Sequence, residues 1–322
     1  MKITVIGCGR WGSFIAWYLN SIGQDVVLYG RKGSKNMERF MKERRNDYLK
    51  LPDTLTLSYD LEQICTSDAI VISINSQGLQ NLMDELKVYH LNNKKIILCM
   101  KGIEIATGRR LTQIVEDNLD ESNKTAVWLG PGHVQEFIKG TPNCMVIDSD
   151  DQNTKEVLVN QFSSPLIRFY YGQDLIGNEI GGALKNVIGI AAGMLDGLGL
   201  RTLKGALMSR GTREVARLIK AMGGNELSAY GLAHLGDYEA TLFSKHSQNR
   251  MFGESFITGR PYEKLAEGVA TVKALMKLSE EYNVEMPISH VVYDIIYNNY
   301  DPKDALPRLF GRDVKGEFAT NY

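Results

Sequence analysis

Residues 2–29, KITVIGCGRWGSFIAWYLNSIGQDVVLY, decide the fold. Residues 2–7 are a short β-rich run with no polar side chain after Thr4. Gly7-Cys8-Gly9-Arg10-Trp11-Gly12 follows and matches G-x-G-x-x-G. Residues 13–22 have helical character, and residues 25–29 read as the next strand. Strand, glycine turn, helix and strand within about 30 residues is the setting in which this motif binds a dinucleotide. In that reading Gly7 permits the tight turn, Gly9 lets the backbone approach a pyrophosphate, and Gly12 lets the helix pack on the strand. The helix amino terminus then favours the phosphate charge.

Further strands read at 69–74, 95–100, 125–129, 144–147 and 166–171, with helical runs between them such as 77–86 and 108–118. This alternation predicts a mostly parallel, doubly wound α/β sheet. After residue 175 strand signals fade, and 213–222, 261–282 and 289–298 read as helices. The expected organisation is a dinucleotide-binding domain over 1–175 and an all-helical substrate and catalytic domain over 176–322. A ligand is expected at the carboxyl ends of the strands, against the helical domain. A length of 322 residues suits two domains, and 43% hydrophobic residues suffice for sizeable cores.

Composition excludes several function classes. With 37 Lys and Arg against 38 Asp and Glu, the net charge of −1 gives no electrostatic case for nucleic acid or an anionic membrane. Cys8, Cys65, Cys99 and Cys144 form no C-x-x-C pair and read as free thiols in a reducing, cytoplasmic compartment. No signal peptide is evident before the first strand, and no apolar run reaches the roughly 18 residues of a membrane helix. The five histidines lack metal-ligand spacing, so no metal is assigned.

Residues 181–211, GGALKNVIGIAAGMLDGLGLRTLKGALMSRG, place Lys185 in a long apolar run that reads as a buried helix. Gly181, Gly189, Gly193 and Gly197 lie on nearly one side of it, so something must approach its backbone closely. A lysine is almost never fully buried unless paired or working, and desolvation suits it to proton transfer. Its plainer reading is a lysine snorkelling to the surface. Three other groups fall where a cleft is expected. Lys101-Gly102 follows a strand. Gly130-Pro131-Gly132-His133 offers backbone amides that suit an anion. Gly236-Asp237 and Ser247-Gln248-Asn249-Arg250 gather polar groups in one loop region. There Asp237 either holds a substrate hydroxyl or pairs with Lys185, while Asn249 and Arg250 suit a phosphate. At the end of the second strand, Tyr29-Gly30-Arg31-Lys32-Gly33-Ser34 contains no carboxylate. Two cations and a hydroxyl suit a ribose 2′-phosphate, which favours NADPH over NADH.

Taken in order, several blocks resemble the NAD(P)-dependent sn-glycerol-3-phosphate dehydrogenase family. They are G-x-G-x-x-G, K-G after a strand, G-P-x-x-x-x-E at 130–136, G-G-A-x-K-N-V at 181–187, A-G-M-x-D-G at 192–197, L-G-D at 235–237 and S-x-N-R-x-F-G at 247–253. The resemblance spans nearly the whole chain and implies a Rossmann domain followed by a helical domain. It implies reversible reduction of dihydroxyacetone phosphate to sn-glycerol 3-phosphate with NADPH or NADH, supplying phospholipid synthesis, in a homodimer. It makes Lys185 the proton acceptor and donor, with Asp237 and Lys101 beside it in the catalytic set. Lys101 matches a residue touching both cofactor and substrate. Gly130 and Gly132 match the substrate-side loop; Asp237, Ser247, Gln248 and Asn249 match substrate positions. Gly7, Gly9, Arg10, Trp11, Gly12, Arg31, Val134, Gln248, Leu265 and Glu267 match cofactor contacts. Three departures stand out, one of them the stretch 238–243, which is unlike the family's. Gly132-His133 replaces a hydroxyl residue and an aromatic one, and Gln248 stands where the family has an arginine. The alternatives are a ketopantoate-reductase-like enzyme acting on another 2-keto compound, or a non-catalytic NADPH-binding paralogue.

Overall fold

A computed structural model describes residues 1–314, 316 and 317. Two compact units emerge, one of Met1–Lys101 with Arg109–Glu179, the other of Gly102–Gly108 with the chain from Ile180 onward. The first unit holds an eight-stranded sheet in the order β3-β2-β1-β4-β5-β6-β7-β8. Its strands are β1 Lys2–Ile6, β2 Asp25–Tyr29, β3 Thr56–Ser58, β4 Ala69–Ile72, β5 Lys95–Leu98, β6 Lys124–Leu129, β7 Asn143–Asp148 and β8 Ile167–Tyr171. Every neighbouring pair is parallel except β6 with β7. The expected mostly parallel, doubly wound sheet is therefore present.

Helices α1 Arg10–Ser21, α2 Lys35–Glu43, α3 Leu79–Leu86, α4 Leu111–Asn118, α5 Val134–Ile138 and α6 Gln152–Phe162 connect these strands. Parallel strands need such crossovers. β4 reads AIVI and is buried throughout, as suits a strand covered on both faces. An aromatic cluster of Phe14, Tyr18, Trp128, Phe137, Phe162 and Phe169 fills one side of the sheet. Each such ring contributes roughly 1.5–3 kcal/mol by leaving water. The amino terminus of α4 is held by Gln113 of its own first turn, which accepts from the Arg110 amide at 2.9 Å, and by a buried carboxylate. Glu179 accepts from the Thr112 amide at 3.0 Å and its hydroxyl at 2.6 Å, and pairs with Arg110.

After β8 no strand occurs among the described residues. α7 Leu175–Gly197 opens a run of helices: α8 Lys204–Ala221, α9 Gln248–Thr258, α10 Glu267–Glu281, α11 Pro287–Tyr297 and α12 Pro302–Phe310. Glu214 of α8 repeats the Glu179 device, accepting from the amides of Ile288 and Ser289 at 2.8 and 3.0 Å at the head of α11. Two expectations are corrected. The helix read over 261–282 begins only at Glu267, because α9 has just ended on left-handed Gly259 and the chain crosses 260–266 before a new start. The polar run Gln248-Asn249-Arg250, read as loop, is the first turn of α9, with Ser247 as its amino-terminal cap. No described helix is long and apolar enough to cross a membrane.

Candidate active site

In the first unit the glycine turn joins β1 to α1. Gly7 takes a φ of +112°, and a Cβ there would strike the Ser73 carbonyl. A Cβ on Gly12 would strike the Gly7 carbonyl, so the helix lies directly on the turn. Gly9 differs: a Cβ there would meet nothing within 4 Å. Gly9 is the amino-terminal cap of α1, with no side-chain cap and no acidic residue in the first turn. An open, uncapped helix start of this kind fits a pyrophosphate, whose charge it attracts through its amides and dipole. Arg10 lies over the Tyr48 ring and donates to its hydroxyl at 2.9 Å, and Trp11 packs against Phe14 and Phe137. Val134 is buried in the core.

Lys101 follows β5, and its Nζ donates to the Gly130 carbonyl at 3.0 Å. The loop that supplies this carbonyl also explains the departure at residue 132. Gly132 has a φ of +145°, and a Cβ there would run into the Phe137 ring. The aromatic ring occupies the place of the missing side chain.

In the second unit Lys185 is 7% exposed. Its Nζ sits 2.7 Å from Asp237 Oδ2 and 2.7 Å from Thr241 Oγ1. Snorkelling is excluded: the ammonium is turned inward onto a carboxylate and a hydroxyl. Of the two roles open to Asp237 in the sequence, the pair with Lys185 is the one observed. Thr241 was not singled out by the sequence. It stands in a π turn, Glu239–Phe243, an irregularity that recurs at functional sites and re-aims side chains. A second buried cluster supports that turn. Lys204 Nζ donates to the Leu242 carbonyl at 2.9 Å and pairs with Asp196 at 2.7 Å. Arg250 joins Asp196 at 2.6 Å and Glu254 at 2.9 Å. Arg250, read as a phosphate ligand, is thus taken up by carboxylates.

Below the lysine lies a buried dyad. His234 Nδ1 is 2.8 Å from the Gly181 carbonyl, which requires an N–H there, so Nε2 accepts from the Tyr238 hydroxyl at 2.7 Å. Burial pushes the His234 pKa down to about 4, so the imidazole is neutral at pH 7. Asn249 accepts from the Gly268 amide at 2.9 Å near the start of α10. Gln248 accepts from the Tyr262 hydroxyl at 2.8 Å and donates to the His246 carbonyl at 3.2 Å. Leu265 is exposed, and Glu267 opens α10.

The chain matches the family described as NAD-dependent glycerol-3-phosphate dehydrogenase over both halves, N-terminus at residues 2–155 and C-terminus at residues 174–307. The chain belongs to that family. A glycerol-3-phosphate dehydrogenase [NAD(P)+] of Clostridium botulinum is 36% identical, covering 98% of this chain and 99% of that protein. Its counterpart in Prosthecochloris aestuarii is 34% identical, covering 98% and 100%. The crystal structure of glycerol-3-phosphate dehydrogenase from Coxiella burnetii superposes with a TM-score of 0.90 at 27% identity, covering 97% of this chain and 99% of that one. A ketopantoate reductase from Ralstonia eutropha reaches 0.63 at 11% identity, over 95% of this chain and 100% of that one, a likeness of fold alone. The family reading of the sequence motifs is therefore upheld over its reductase rival.

Proposed function

We propose that this chain is an NAD(P)-dependent dehydrogenase acting on a CH–OH group, reducing dihydroxyacetone phosphate reversibly to sn-glycerol 3-phosphate. The observation that carries the proposal is the buried Lys185–Asp237–Thr241 cluster in a chain of this family. Bound NADH or NADPH supplies the hydride for the carbonyl carbon. Lys185 gives a proton to the ketone oxygen and takes the hydroxyl proton in the reverse direction. Asp237 and Thr241 fix the ammonium by charge and hydrogen bond, so that it needs little reorganisation as charge develops on oxygen. Lys101 is assigned to the cofactor and the substrate phosphate, and Gly130, Gly132, Ser247, Gln248 and Asn249 to substrate binding. Gly7, Gly9, Gly12, Arg10, Trp11, Arg31, Val134, Leu265 and Glu267 are assigned to the cofactor. A homodimer follows from the family resemblance, and a cytoplasmic location from the four free cysteines. The product is taken to serve phospholipid synthesis.

The test is oxidation of NADH and NADPH by the purified chain, with dihydroxyacetone phosphate against unphosphorylated dihydroxyacetone. Turnover confined to the phosphorylated ketone, with sn-glycerol 3-phosphate as product, is expected. Comparable rates on both ketones would shift the substrate away from phosphorylated compounds.

A further inference from the structure

The carboxyl end of β2 is where dinucleotide-binding sheets distinguish their cofactors. A carboxylate there receives the ribose 2′-hydroxyl, and an arginine accommodates a 2′-phosphate. Residues 29–34 supply Arg31, Lys32 and Ser34 and no carboxylate. The fold alters that inventory in two ways. Glu85, in the last turn of α3 and 54 positions along the chain, places Oε1 2.7 Å from Arg31 Nη2. Ser34 is committed elsewhere: its hydroxyl caps α2 by accepting from the Met37 amide at 3.4 Å and lies 3.3 Å from Cys8 Sγ. Of the three groups suited to a 2′-phosphate, one is neutralised and one is used for capping.

We propose that Glu85 is the residue that sets the choice between NADH and NADPH, delivering from α3 the carboxylate that β2 lacks. This rests on the dinucleotide reading of the Gly7–Gly12 turn. The physical case is one of charge. A 2′-phosphate drawn to Arg31 must displace the Glu85 carboxylate or sit beside it, against like-charge repulsion. A ribose 2′-hydroxyl is neutral and donates to a carboxylate without cost to the Arg31 pair. Arg31 and Glu85 side chains are 60% and 45% exposed, so the pair is a weak structural tie and its loss leaves the fold intact. The chain should therefore bind NADH at least as well as NADPH, against the sign of the local charge.

Equilibrium titration of the full chain with each reduced nucleotide, followed by nucleotide fluorescence, tests this without turnover. Glu85→Gln should tighten NADPH relative to NADH by about tenfold, the factor that a single charged contact commonly commands. Arg31→Ala added to Glu85→Gln should cancel that gain. Both nucleotides binding with a ratio unchanged by Glu85→Gln would overturn the role of Glu85 while leaving the dinucleotide reading in place. A wild-type chain that already prefers NADPH tenfold would overturn it too. Failure of the wild-type chain to bind either nucleotide would remove the dinucleotide reading, and this proposal with it.

Discussion

Two glycine-rich regions of this molecule use the same residue for opposite ends. In the turn Gly7–Gly12, Gly9 faces open space at the start of α1. In α7 the space is already taken. A Cβ on Gly193 would strike the Arg250 carbonyl of α9, and one on Gly253 would strike the Ile190 carbonyl in return. Glycines from both helices let two backbones touch. The first region keeps room for a ligand; the second gives up room so that α9 can bring Arg250 to Asp196 and, through Lys204, steady the turn carrying Thr241. Glycine spacing alone does not separate these uses, but what a Cβ would meet does.

That contrast can be broken in several places. The largest effect is expected at Asp237→Asn, which leaves the buried Lys185 ammonium without its carboxylate. Breaking a buried pair costs about 3–5 kcal/mol, so urea unfolding should register a loss of that order together with loss of turnover. An unfolding midpoint equal to wild type would show the pair to be structurally idle. Next come the glycines. Gly193→Ala should destabilise by about 1–3 kcal/mol through overpacking. Gly9→Ala should change stability by less than about 0.5 kcal/mol, yet weaken binding of either nucleotide. Equal stability losses at the two sites would erase the distinction between them. A further effect is a pH dependence. The folded chain holds His234 at a pKa of about 4 against an ordinary 6.5. Between those values the unfolded chain binds a proton that the folded chain does not, so stability falls as pH drops from 6.5 towards 4. Thermal unfolding across that range should show the decline, and His234→Gln should flatten it.

Much of the first region was legible because it is local. Strand, turn, helix and strand lie within one short stretch, and β2 runs over Asp25–Tyr29 as read. The second region was legible only in part. The apolar, glycine-laced run around Lys185 announced a buried helix and a close neighbour, but not that the neighbour was α9. Its first turn is polar, Gln248-Asn249-Arg250, and masks a helix whose signals were the cap Ser247 and the terminator Gly259. The stretch 238–243 departs from the family's pattern, but nothing in it signals a role for Thr241, since a π turn is set by what packs on it. Glu85 was invisible for the same reason: nothing near Arg31 in the chain points to α3.

The proton transfer proposed for Lys185 is a role distinct from nucleotide binding. Lys185→Ala separates the two roles, with turnover of dihydroxyacetone phosphate and nucleotide titration measured on the same preparation. A rate lower by about 10²–10⁴-fold with nucleotide affinity unchanged is expected. Turnover within a few-fold of wild type would contradict it and remove Lys185 from the chemistry.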